Sequence, residues 1–187
     1  MNNKSDFILS AIHDAQATIR SIDVKVIALL TGLLVPISSL GEIWNHLVHI
    51  SLLTSLNFAV LTGVIFLLFW LAAISSLVRT ISAIDNPADH IVNSSEYKGI
   101  FYGGGLFQFG WLDVLLNRSV IKANKDILAF SQDYPGNEDE IVSELSFEHM
   151  KLIYIREIKL HRFKSSLKVA FIWLVLGITI YLYSKVG

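Results

Sequence analysis

The sequence contains no cysteine, which excludes disulfides, thiolate metal sites and thiol nucleophiles. Proline is nearly absent as well, and each of its three occurrences, Pro36, Pro87 and Pro135, marks an interruption in a chain that otherwise permits long helices. Charge is scarce: 17% of the residues are Asp, Glu, Lys or Arg, and the net charge of -1 supplies no basic field for nucleic acid. The motifs of common catalytic sites are missing too. No glycine loop ends in Lys-Ser or Lys-Thr, no serine sits in a nucleophile elbow, and no HExxH or EF-hand pattern occurs. An enzyme is not expected.

What is abundant is apolar. Hydrophobic residues make up 53% of the 187, with a mean hydropathy of +0.55, an excess for a soluble domain of this size. They concentrate in Val26 to Leu40, Leu52 to Val78 and Leu167 to Tyr183. Leu56 to Val78 carries no charge and exceeds the roughly 20 residues a helix needs to cross the hydrocarbon. The other two runs open on Lys25 and Lys168, whose stems can snorkel to the headgroups. A cleaved signal peptide does not fit the first run, because the segment before it is long, polar and acidic at Asp6, Asp14 and Asp23.

These runs predict an all-α membrane protein with three transmembrane helices, at 24–44, 52–78 and 167–184. Extensions of the first and third spans form a mostly helical cytoplasmic region over 79–166, and an amphipathic helix over 5–23 precedes the first span. The chain, 1–187, reads as one domain. Orientation follows from the basic residues. Arg20 and Lys25 precede the first span, Arg79 follows the second, and Arg156, Lys159, Arg162, Lys164 and Lys168 lead into the third, whereas Gly41 to Asn57 has none. The N-terminus and the middle region are thus expected in the cytoplasm, with Trp44, Tyr181 and Tyr183 anchoring the opposite interface.

Ile8, Ile12, Ala15, Ile19, Ile22 and Val26 are spaced four, three, four, three and four apart, the seam of a helix that packs on a partner. Ser5 is the expected N-cap, and the helix should run into the first span until Pro36 disturbs it. The partner is either the C-terminal helix or a second copy of the chain, with Ile8, Ile12, Ile19 and Ile22 as the seam of a homo-oligomer. That C-terminal helix has its own start signal. Asn137 followed by Glu138, Asp139 and Glu140 reads as a cap, acidic first turn and capping-box carboxylate after the turn Tyr134-Pro135-Gly136. Between the spans, Asn117 is a candidate cap for a helix through Ile121, Lys125 and Leu128.

The stretch Tyr97 to Leu116 is apolar yet carries Gly99, Gly103, Gly104, Gly105 and Gly110. Five glycines at up to about 1 kcal/mol each, with Asp113, argue against a fourth span. Two readings remain. One is a hairpin turning through Gly103 to Gly105 with its aromatics packed beneath the helices. In the other, glycine amides form an anion-binding concavity beside a stacking face from Phe101, Tyr102, Phe107 or Trp111, with Arg79 or Arg118 nearby, which suits a nucleotide. His46 and His49 lie three apart and read as interfacial histidines, and Asn57 as an interfacial or interhelical hydrogen-bonding residue.

An amphipathic helix entering the first span at Asp23-Val24-Lys25, a second span ending in SLVRTISAIDNP, the element GIFYGGG and a long charged helix feeding a third span come in this order. Together they resemble the Pycsar membrane effectors of the PycTM type across most of the chain, with Asp23, Lys25, Arg79, Phe101, Tyr102 and Gly103 as the matching positions. The family's second span usually closes on a basic-proline-basic triplet, where this chain has Arg79, Thr80 and Ile81. The resemblance implies an antiphage effector in the bacterial inner membrane, encoded beside a pyrimidine cyclase. It would be activated by cyclic CMP or cyclic UMP to impair the membrane and kill the infected cell. The nucleotide site it implies comprises Arg79, Phe101, Tyr102, Gly103, Gly104 and Arg118, with no other cofactor, no metal and no nucleic acid. The alternatives are a non-enzymatic accessory subunit of a membrane complex, or a membrane effector answering another nucleotide signal.

Overall fold

The computed structural model describes residues 3–82, 84, 86–99, 101, 106 and 123–186. Among these there are helices and no β-strand: α1 (Asn3–Leu34), a 3-10 turn (Val35–Ser39), α2 (Leu40–Leu53), α3 (Leu56–Ile81), 3-10 turns at Pro87–His90 and Ser94–Glu96, α4 (Ile127–Gln132) and α5 (Glu138–Val186). Three helical stretches, Lys4–Leu53, Leu56–Ile81 and Glu138–Lys185, are long and apolar enough to cross a membrane. The chain forms two compact units. One comprises Met1–Ala17 with Asp85–Ile155, the other Thr18–Ile84 with Arg156–Gly187, so α1 and α5 each contribute residues to both.

The apolar unit is built around Ile22, Val26, Leu33, Trp70, Ala73, Leu77, Ala170 and Trp173, with Leu160 and Phe163 packed against them. Small residues let the backbones approach. Ala73 is fully buried. A Cβ on Gly63 would stand 3.1 Å from Leu47 Cδ1, and one on Gly177 would stand 3.3 Å from Phe66 Cε2. Trp70 and Trp173 stack at 6.4 Å and 16°. Outward, Leu68, Phe171 and Trp44 remain 60%, 66% and 66% exposed, amid many other uncovered apolar side chains on α2, α3 and α5. Such a surface suits hydrocarbon better than water.

Pro36 ends α1 as the sequence predicts, but the path stays helical. Its missing N–H withdraws the donor that a tightened turn would offer the Leu33 carbonyl, and the indole of Trp70 donates to that oxygen instead, at 2.8 Å. The helix bounds therefore differ from the expected 24–44 and 52–78. Residues 45–51, which lie between the expected spans, belong to α2, and Leu52 and Leu53 close α2 rather than opening the next helix. Thr54 and Ser55 make the link, and extended Ser55 caps α3 by accepting from the Phe58 amide at 3.3 Å.

Ser5 does not cap α1. The helix already starts at Asn3, so the Ser5 hydroxyl sits inside the first turn, where it is buried without a partner among the described residues. Nor does Lys125 belong to a helix with Leu128. Asp126 caps α4, accepting from the Ala129 amide at 2.6 Å, while Asn117 and Ile121 lie outside the described residues. Asn137 does cap α5. Its side-chain oxygen accepts from the Glu140 amide at 2.9 Å, and Glu140 reaches back to the Gly136 amide at 2.8 Å and the Asn137 side-chain amide at 2.7 Å.

Candidate functional site

In the polar unit, buried residues of α1 and α5 carry the packing: Ile8, Ile12 and Ala15 on the first, Val142, Leu145, Phe147 and Leu152 on the second. The segment between α3 and α4 is held by local polar devices. Asn86 caps the turn Pro87–His90 by accepting from the Ala88 amide at 3.3 Å, and Asn93 takes the left-handed conformation at φ 60°. His90 stacks on Tyr154 at 4.8 Å, and Tyr97 stacks on Phe147 at 4.9 Å and 10°.

The segment then meets α5 through its backbone. The amides of Lys98 and Gly99 donate to the two oxygens of Glu144, at 2.9 and 3.0 Å. Gly99 has φ +63°, a conformation that glycine adopts without the penalty a side chain brings, and a Cβ there would face Phe147, Lys151 and Glu148 at 3.6 to 3.8 Å. One helical turn beyond Glu144, Glu148 is 1% exposed and pairs with Lys151 at 2.5 Å. Burial raises the Glu148 pKa above its ordinary 4.5, against the pull of the Lys151 ammonium. Lys151 also lies 4.7 Å from the centre of the Phe147 ring.

A polar cleft of about 380 Å³ opens beside this contact, lined by Glu96, Tyr97, Lys98, Asp133, Pro135, Glu140, Ser143 and Glu144. Asp133 is its ion-pair centre, 2.5 Å from Lys125 and 3.6 Å from Lys98. The hydrogen bond from Lys125 holds its carboxyl below the usual 3.8. Four acids against one lysine on the walls make the cleft a poor place for a free anion while all four carboxylates stay in position.

The apolar unit has a polar ladder of its own. Lys159, its side chain 10% exposed, pairs with Asp23 at 2.5 Å. Arg162 donates to the Arg79 carbonyl at 3.0 Å, Ser166 donates to the Arg162 carbonyl at 2.9 Å, and the hydroxyls of Ser76 and Ser166 meet at 2.6 Å. At the other end of α5, Ser184 meets His46 Nδ1 at 2.7 Å, and Tyr181 packs edge-on against the same ring at 5.3 Å. Among the described residues no three His, Asp or Glu side chains form a metal-holding group.

The nucleotide residues implied by the resemblance are only partly in view. Arg79 lies in the last turn of α3, in the apolar unit, and Phe101 lies in the polar unit, 46% exposed. Tyr102, Gly103, Gly104 and Arg118 lie outside the described residues, as do Phe107 and Trp111. Of the seam, Ile8, Ile12 and Ile22 are buried within a single chain and Ile19 is half-buried. The sequence did not single out Glu144, Lys98 or Glu148. The one available signal was spacing, since Glu144, Glu148 and Lys151 stand four and three apart and so share a helix face. Compared with known proteins, the chain matches no family model, no curated protein and no solved structure.

Proposed function

We propose that the protein is an antiphage effector of the bacterial inner membrane that answers cyclic CMP or cyclic UMP by impairing membrane integrity. It acts beside a pyrimidine cyclase, as a homo-oligomer, with its N-terminus and residues 79–166 in the cytoplasm. The resemblance to the Pycsar membrane effectors supplies the ligand and the outcome. The observation that carries the physical side is helix continuity. α5 runs unbroken from Glu138 to Val186, joining a polar stretch to a membrane-length apolar one, and α1 runs unbroken from Asn3 to Leu34, carrying a polar stretch into the start of the apolar stretch that continues past Pro36. A helix of 49 residues is more than twice what the hydrocarbon requires. A nucleotide that binds one arrangement of the polar stretch more tightly than another would shift the population of the whole helix, and with it the packing of the spans.

Dye-loaded liposomes containing the folded full-length protein test this. Addition of cyclic CMP or cyclic UMP should release the dye, and neither should do so from protein-free vesicles. Retention of dye with both nucleotides would overturn the proposal.

A further inference from the structure

We infer that the Lys98–Gly99 amide pair is an anion site, closed in this structure by the Glu144 carboxylate, which the phosphodiester of a cyclic mononucleotide displaces. This rests on the nucleotide reading above and gives it a location among residues that the resemblance did not mark.

The argument starts from the contact itself. Two successive backbone N–H groups converge on the two oxygens of one carboxylate, at 2.9 and 3.0 Å, the geometry of a backbone nest holding an anion. Gly99 makes the convergence possible through its left-handed φ of +63°. The occupant is a side chain of α5 reaching out to loop backbone, and it forms part of the wall of a solvent-open cleft, so a soluble anion can reach it. A cyclic nucleotide's phosphodiester, like a carboxylate, spreads one negative charge over two equivalent oxygens. The exchange therefore conserves charge at the amides.

The cleft acids oppose an incoming anion until Glu144 swings away, and the immediate neighbours of the amide pair bear on that exchange. The Lys151 ammonium, paired with Glu148, lies 3.7 Å from the position a Gly99 Cβ would take, with the Glu148 carboxylate at 3.8 Å. The half-buried ring of Tyr97, backed by the buried ring of Phe147, stands next to the pair, an aromatic group of the kind a base packs against. The other cleft acids are occupied or exposed: Asp133 by Lys125 and Lys98, Glu140 by the α5 cap, and Glu96 by solvent. Glu144 is thus an internal competitor, and its displacement frees the loop from α5, the helix that continues into the third membrane-length stretch.

The test uses the full-length protein in detergent and follows binding of cyclic UMP and cyclic CMP by calorimetry, with hydrogen exchange read on peptides containing Lys98 and Gly99. Glu144→Gln has one acceptor oxygen in place of two and no charge, so it should expose the amides to exchange and bind nucleotide about tenfold or more tightly, with protection restored by ligand. Glu144→Asp, which keeps the charge on a shorter stem, should move in the same direction and serves if the first variant misfolds. Gly99→Ala, with Glu144 intact, should weaken binding.

Equal nucleotide affinity in wild type and both Glu144 variants, with no change of exchange at Lys98 and Gly99, would overturn the site while leaving the nucleotide reading standing. If neither pyrimidine nucleotide binds but cyclic AMP or inorganic phosphate protects the pair in Glu144→Gln, the anion site stands and the pyrimidine reading falls. Absence of protection by every one of these anions in that variant would also overturn the inference.

Discussion

Trp70 and Trp173 stack in one core, are each 8% exposed, and differ in one hydrogen bond. The indole N–H of Trp70 donates to the Leu33 carbonyl, whereas that of Trp173 is buried with no partner among the described residues. Replacing either by phenylalanine removes a similar volume and leaves a similar gap, a cost of about 1–2 kcal/mol. Trp70→Phe additionally removes the indole donor from the Leu33 carbonyl beside Pro36, which adds about 1–3 kcal/mol. Trp173→Phe instead removes a donor that gains nothing in the fold, offsetting about 1 kcal/mol of its packing loss. The two variants should therefore differ by roughly 2 kcal/mol or more, equivalent to about 4–8 °C in midpoint for a chain of this length. Thermal unfolding in one detergent, followed by near-ultraviolet circular dichroism, reads the difference. Equal midpoints, or a larger drop for Trp173→Phe, would refute the assignment of Trp70 as the donor to the Leu33 carbonyl beside Pro36.

Three other outcomes follow from the same geometry. Ile22→Asp places a charge in a core position 4% exposed and should abolish accumulation of the folded protein, while Ile19→Asp, at a half-buried position, should accumulate at reduced levels; equal yields on a detergent sizing column would contradict this. Lys159→Met leaves Asp23 without its partner, at a cost of about 2 kcal/mol given that Asp23 is a third exposed, and Asp23→Asn on that background should recover most of it; additive losses in chemical unfolding would remove the ion pair from the account. The polar unit should show two opposite pH trends in hydrogen exchange. Glu148, with its pKa raised above 4.5, contributes stability that is full below that value and lost as pH rises through the folded pKa, a trend that Glu148→Gln should flatten. Asp133, held below 3.8, contributes stability present above that value and lost as pH falls through the folded pKa, a trend that Asp133→Asn should flatten.

The parts of the fold that follow from one segment at a time were legible in the sequence. The charge-free run Leu56 to Val78 is α3, the Asn137 cap starts α5, and Ile22 and Val26 lie in the core that the seam spacing requires. What depends on pairing across the chain was not. Beside Pro36 the Leu33 carbonyl accepts from Trp70, 37 residues away, and no local pattern announces that. Ser5 looked like a cap because capping depends on where the helix begins, two residues earlier than the hydrophobic seam suggests. Glu144 was invisible for a different reason. A lone glutamate on an amphipathic helix reads as solvated surface, and its partners are backbone amides, which leave no trace in residue type.

The absence of cysteine makes the proposed topology directly measurable, because a single introduced thiol is the only one present. Asp126→Cys lies in the region assigned to the cytoplasm and Glu42→Cys in α2 on the far side, and both positions are exposed. In intact cells a membrane-impermeant maleimide should label Glu42→Cys and spare Asp126→Cys until the membrane is permeabilised. Labelling of Asp126→Cys from outside would contradict an effector whose polar region waits for a cytoplasmic signal.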